Sequence, residues 1–434
     1  MQTTGDSEDA AIKPIKKAYK NGINYYDTKN AYGKTEMAGV VEKNAIINYF
    51  FELPNFLSLF IAAFYVSLIS PILIEISNSL GSTVENVILL ISYHMVGALF
   101  GSILSPFLNR KLSRINIFII FYIALLPCLI ILSFASNIIV FFITYFFGGF
   151  IFGVIWIQAN TNMIESTLKN KDSVVNMGHG FYAIGAIISP VVSSNFVKSG
   201  IDWRYLYYFV IFFVFLNIIL FIKLRRKIDN ISPIHKTVSL KIVFANKKTN
   251  LYLFLTIIIL FFYVTAEAIL VIWSPTFFRM FKYFDVQSAG LMLTILWIGV
   301  LSGRLLVGFL SYRIKTGYML VILTLLSIVS LIFLVYSDIK FINYLAIFFA
   351  GFGFSGIMPL LVSSAGSFFP KGKEIIMTIL FLMPTAGYMS APYLTRYISQ
   401  RSMFFSIAIT IFFMGVVLVL VTIRMCYRRK ALKK

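Results

Sequence analysis

Glycine and proline fall at matching places twice in this chain, 202 residues apart. Gly97, Gly101, Gly149, Gly185 and Pro190 recur as Gly299, Gly303, Gly351, Gly387 and Pro392. The polar run Lys169-Asn170-Lys171-Asp172 recurs as Lys371-Gly372-Lys373-Glu374. Each copy lies in a long apolar stretch. A parallel duplication of this kind predicts two related membrane halves that enclose a cavity between them.

Composition supports a membrane chain. Of 434 residues, 59% are hydrophobic and 13% charged, against about 25% charged in a soluble domain. The net charge of +21 would suggest nucleic acid in a soluble protein. Here the basic residues sit between apolar spans, which reads as membrane topology and not as nucleic-acid binding. The two cysteines, Cys128 and Cys426, offer neither a disulfide framework nor metal-ligand spacing.

A helix needs about 20 apolar residues to cross the hydrocarbon. Such stretches cover 54–74, 86–109, 173–197, 205–222, 250–273, 286–303, 316–337, 341–370, 375–395 and 402–423, and the charge-free run 115–164 divides at a turn near 133–137. Twelve spans result, six per half. The fold class expected is an all-α membrane protein. The halves are 46–222 and 250–425, with a basic linker 223–249 and a basic tail 426–434. With both termini in the cytoplasm, the inner loops and tail carry 23 Lys and Arg and the outer loops 7. That asymmetry sets the orientation; the membrane expected is the plasma (inner) membrane.

Residues 1–45 are polar and read as a cytoplasmic extension. Within them, 14–39 resembles a strand of the aldo-keto reductases, whose catalytic Asp and Tyr would fall on Asp27 and Tyr32. A (β/α)₈ barrel takes about 250 residues, so the segment reads as a fragment with no cofactor site, and the chain as no enzyme. It is expected to be poorly ordered, with a short helix at 11–21.

Ionisable groups inside a membrane are costly and default to functional candidates. Glu267 in the seventh span stands out, suited to accept hydrogen bonds from sugar hydroxyls or to carry a proton. The 202-residue register sets it opposite Tyr65 of the first span. Gln158 and Asn162 share one face of the fourth span and present the donors and acceptors that polyhydroxyl ligands use. Interhelical hydrogen bonding is the alternative for both. Trp273 and Trp297 offer rings to stack on a sugar, or interfacial anchors. His94 and His179 are the other proton-coupling candidates. Gly303 and Arg304, in Gly299-x-x-x-Gly303-Arg304-x-x-x-Gly308, suggest a gate at the inner rim. No basic residue is expected at mid-membrane.

Asn176-Met-Gly-His179-Gly-Phe-Tyr182-Ala-Ile-Gly185, Phe262-Tyr263-Val-Thr-Ala-Glu267 and Gly299-Val-Leu-Ser-Gly303-Arg304 resemble the fifth, seventh and eighth spans of sugar permeases of the major facilitator superfamily. Gly356-Ile-Met-Pro359 resembles their tenth. The likeness spans 46–425 and points to the fucose and glucose/mannose branch, whose glucose/mannose members also carry a Glu in the seventh span. It implies a monomeric carrier of a small neutral solute, coupled to a proton or sodium ion or to none. The branch has a Glu in the fourth span where this chain has Gln158, which cannot titrate. Efflux of an amphipathic compound, a non-transporting receptor on the same scaffold, and a membrane-tethered reductase-like or regulatory subunit are the other readings.

Overall fold

The computed structural model describes residues 51–164, 171–228, 247–311, 313–368 and 373–432. The chain divides into a unit Met1–Leu53 and a unit Pro54–Lys434. The segment 14–39, with Asp27 and Tyr32, and the helix expected at 11–21 lie outside the described residues.

The larger unit is built of long helices. In the first half these are α1 (Leu53–Ser79), α2 (Val84–Leu108), α3 (Arg114–Ser133), α4 (Ile138–Ile164), α5 (Lys171–Lys198) and α6 (Leu206–Ile228). In the second they are α7 (Lys247–Met280), α8 (Val286–Leu310), α9 (Thr316–Tyr336), α10 (Lys340–Ser355 continuing as Ile357–Phe368), α11 (Lys373–Arg401) and α12 (Met403–Leu432). Among the described residues, 11 helices are long and apolar enough to cross a membrane. The remaining one, α11, has 29 residues. The linker read at 223–249 is helical at both ends, since α6 runs to Ile228 and α7 starts at Lys247, and α12 carries helix into the basic tail.

Starts and breaks follow local chemistry. The Asp285 carboxylate caps α8, accepting from the backbone N–H of Gln287 at 3.1 Å and of Ser288 at 3.0 Å, and Ser113 caps α3 in the same way. α1 breaks at a 3₁₀ turn, Ser70–Ile72, where Pro71 supplies no N–H. α1 and α7 are the most enclosed spans, with 83% and 72% of their apolar windows buried, against 33–39% for α3, α6 and α12. The first helix of each half is therefore innermost.

The repeat is present in three dimensions. A Cβ on Gly97 would meet the Phe146 carbonyl, and one on Gly299 the Phe348 carbonyl; Gly149 lies against the His94 carbonyl and Gly351 against that of Leu296. Every member of the second set is the first plus 202. The glycines let α2 close on α4, and α8 on α10, backbone to backbone. Gly149→Ala and Gly351→Ala should each destabilise the fold by about 1–3 kcal/mol through overpacking. Gly308→Ala and Gly415→Ala, with nothing within 4 Å, should leave thermal melting in detergent unchanged.

The end of the bundle away from the start of α1 and the end of α12 is called the far end. Between described residues, the hydrogen bonds that join the two halves lie toward it. Glu75 on α1 forms a two-pronged ion pair with Arg279 on α7, at 2.7 and 2.9 Å. Arg396 on α11 donates to Asn86 at 2.7 Å, and Gln287 on α8 donates to Asn195 on α5 at 3.0 Å. Lys198 donates to the Gln287 amide oxygen. Deeper in, the Ser92 hydroxyl donates to the Met389 carbonyl at 2.7 Å and the Thr294 hydroxyl to the Ile187 carbonyl at 2.9 Å. Donors and acceptors of this pair are again 202 apart, so the seam repeats on both sides of the pseudo-twofold axis.

Candidate functional site

Glu267 lies midway along α7, partly exposed while the six residues after it are buried. Tyr263, one turn earlier on the same face, sits beside its carboxylate and donates its own hydroxyl to the Phe354 carbonyl at 3.0 Å. Tyr182 from α5 and Tyr388 from α11 lie within the field of the carboxylate. Arg304 from α8 acts on Glu267, on all three tyrosines and on His179. Four side chains from both halves, three tyrosines and His179, thus surround one carboxylate and one guanidinium.

Aromatic rings complete the site. Trp156 on α4 stands edge-on to His179 at 6.0 Å and to Tyr182 at 5.6 Å, and Tyr182 stands edge-on to Trp297 at 6.1 Å. Trp297 is 5% exposed and its indole N–H has no hydrogen-bond partner. A buried N–H without a partner costs about 1–3 kcal/mol, so this donor stands ready for an acceptor. The arrangement offers one anion, one cation, phenolic hydroxyls and flat apolar faces. Those are the elements that hold a polar solute by its hydroxyls and its faces together.

Of the residues singled out from sequence, Glu267, His179, Trp297 and Arg304 come together here. Arg304 departs from the expectation that no basic group reaches mid-membrane. Its position near the near end of α8 suggested a rim gate. Side chains of a helix lean toward its N-terminus, which for α8 is the far end, and the exposed Arg304 bears on Glu267 and the groups around it. Gly303 beside it meets the Ser355 hydroxyl and the Phe352 carbonyl and belongs to the α8–α10 packing.

The others lie in packed interfaces within a half. Gln158 is 0% exposed and donates to the Ser105 hydroxyl at 2.9 Å and its carbonyl at 3.2 Å. Asn162 donates to Asn55 at 3.3 Å and accepts from Arg114 at 3.1 Å. The Trp273 indole donates to Thr395 at 2.7 Å. Tyr65 and His94 are buried against Tyr145 on α4. The Gln158 amide nitrogen and both polar groups of Asn162 make interhelical bonds, the alternative weighed for these amides, while the buried Gln158 amide oxygen has no hydrogen-bond partner among the described residues. Sequence reasoning did not single out Tyr182, Tyr263, Tyr388 or Trp156 as ligands. Helical spacing was the available signal: Tyr263 precedes Glu267 by four residues, His179 precedes Tyr182 by three, and Trp297 precedes Arg304 by seven.

Residues 56–383 match the profile of the Major Facilitator Superfamily. The glucose/mannose transporter GlcP of Bacillus subtilis (strain 168) is 19% identical over 326 residues, covering 74% of this chain and 80% of its own. Among solved structures, a mutant of the nucleoside transporter NupG superposes with a TM-score of 0.70 at 15% identity, covering 87% of this chain and 99% of that one. The D-xylose–proton symporter gives 0.68 at 12% identity, covering 87% and 97%.

Proposed function

This chain belongs to the Major Facilitator Superfamily, and we propose that it moves a small, neutral, hydroxyl-rich solute, a sugar, across the membrane by alternating access. The chain is an integral multi-pass membrane protein. One observation carries the reading: a single partly exposed site takes residues from α4, α5, α7, α8 and α11, hence from both halves, while the hydrogen bonds between those halves gather toward one end. A site shared across a seam that closes on one side is what rocking halves require.

In this reading Glu267 accepts hydroxyl hydrogen bonds, Arg304 and the Trp297 indole donate, and Trp156 and Tyr182 present faces to the ring carbons. Gln158, Asn162, Tyr65 and Trp273 support these helices from behind. The excess of Lys and Arg on the near-end loops makes that end cytoplasmic, so the seam closes the outside and the conformation faces inward. The partners are the solute, a proton or sodium ion, and lipid, and the carrier acts as a monomer.

The rings around the site also favour a second reading, efflux of an amphipathic compound. Purified protein in liposomes separates the two. A panel of labelled hexoses, pentoses and nucleosides is expected to give saturable counterflow for a hexose. Extrusion of an apolar dye with no flux of any panel member would establish the second reading instead.

A further inference from the structure

A second group of polar side chains lies outside that site, inside the first half. Tyr65 on α1, His94 on α2 and Tyr145 on α4 meet ring to ring, with centroids 5.6 Å apart for Tyr65–His94, 5.0 Å for His94–Tyr145 and 5.1 Å for Tyr65–Tyr145. They are 0%, 3% and 1% exposed. The two hydroxyls and the His94 Nδ1 each lack a hydrogen-bond partner. Three such atoms in one pocket form a proton acceptor flanked by two hydroxyls that can satisfy whatever charge it gains.

The surroundings are neutral. Tyr207 from α6 and Cys128 from α3 bear on Tyr65, and the Tyr145 backbone carbonyl bears on the imidazole. Among the described residues no charged side chain acts on His94; the guanidinium of Arg204 reaches only as far as Tyr207. The position is not arbitrary. Tyr65 is the repeat mate of Glu267, 202 residues earlier. His94 also shares a helical turn with Ser92, whose hydroxyl holds α2 to α11.

We propose that this pocket is a proton site that couples protons to opening of the far end. When the seam parts, water from that side reaches the pocket and the Nδ1 lone pair takes a proton. The imidazolium then donates to a tyrosine oxygen, and the new charge favours the hydrated, open arrangement of the turn that carries Ser92. Two hydroxyls and one nitrogen, with no carboxylate, are too few hard oxygens for sodium. The proposal rests on the transporter reading. It moves the coupling proton away from Glu267 and His179, which stand in the field of Arg304 within the solute site.

Two measurements test it, the first without any solute. Spin labels at Asn78 and Tyr283, in a protein with both cysteines replaced by Ser, report the width of the far end. Acidifying from about pH 8 to about pH 5.5, across the range where imidazole titrates, is expected to raise the open population in the wild type and not in His94→Gln. A distance distribution that ignores pH in the wild type, or responds equally in both proteins, overturns the proposal. In liposomes, His94→Gln is expected to keep hexose counterflow and lose accumulation driven by an inward proton gradient. Retained accumulation, or loss of counterflow in a folded protein, overturns it. Absence of hexose flux in the wild type would sink the sugar reading, while the distance measurement still decides the proton site. Should His94→Gln fail to insert, Tyr65→Phe/Tyr145→Phe is expected to blunt the same pH response.

Discussion

Glu267→Gln is expected to lower hexose uptake by about 10- to 100-fold in a protein that folds and inserts normally. A hydrogen bond to a charged group contributes about 1.5–3 kcal/mol, and each 1.4 kcal/mol is roughly tenfold in affinity. Gln keeps the shape and one acceptor oxygen, so packing is spared and the loss reads the charge. The substitution also removes a carboxylate on which Arg304 bears, so part of the loss reads the coupling between the two charges. Arg304→Gln alone should cost a similar amount for the mirror-image reason.

The double variant Glu267→Gln/Arg304→Gln is therefore expected to do better than the sum of the singles, by about 0.5–3 kcal/mol of coupling. Counterflow and solute-induced thermal shift would both report it. Strict additivity would mean that the two groups act on the solute independently. An unaffected Glu267→Gln would remove the carboxylate from the site altogether and leave the aromatic faces, which is the outcome the efflux reading requires.

What sequence could and could not show divides along one physical line. The 202-residue repeat was legible because close helix crossings need a bare backbone at fixed heights, and a Gly there leaves its mark whatever surrounds it. The matched contacts of Gly97 with Gly299, and of Gly149 with Gly351, are that mark in three dimensions. The existence of twelve long helices was legible from apolar length. Rotation of each helix about its own axis was not. Gln158 and Glu267 are both polar groups at mid-span, yet one turns toward Ser105 within its own half and the other stays partly exposed beside Tyr263. An apolar helix in lipid has no polar outer face to fix its rotation from pattern alone, so polar residues that bind helices together look the same as those that bind solute. Arg304 reads as a rim gate because its Cα lies late in the span, whereas its bearing on Glu267 and Tyr182 is a relation between helices that the sequence of one helix does not carry.

Ser92→Ala/Thr294→Val is expected to open the far end in the resting protein. Each hydroxyl donates to a carbonyl across the seam, at 2.7 and 2.9 Å, and both donors are at least 95% buried. A neutral hydrogen bond contributes about 0.5–1.5 kcal/mol; losing two shifts the closed-to-open ratio by roughly 5- to 150-fold. Because the two bonds are repeat mates, each single variant should shift the ratio by a similar factor, and the factors should multiply, since the bonds share no residue and join different helix pairs. The Asn78–Tyr283 distance distribution reads all three variants directly. Arg279→Gln, which breaks the ion pair to Glu75 at the mouth of the seam, should add to the opening without changing melting of either half, because each half keeps its own glycine-packed interfaces. Unequal effects of Ser92→Ala and Thr294→Val would mean that the seam hinges on one side only. No change in the double variant would mean that helix packing alone holds the far end shut, and that the hydroxyls merely satisfy carbonyls that closure has already brought near.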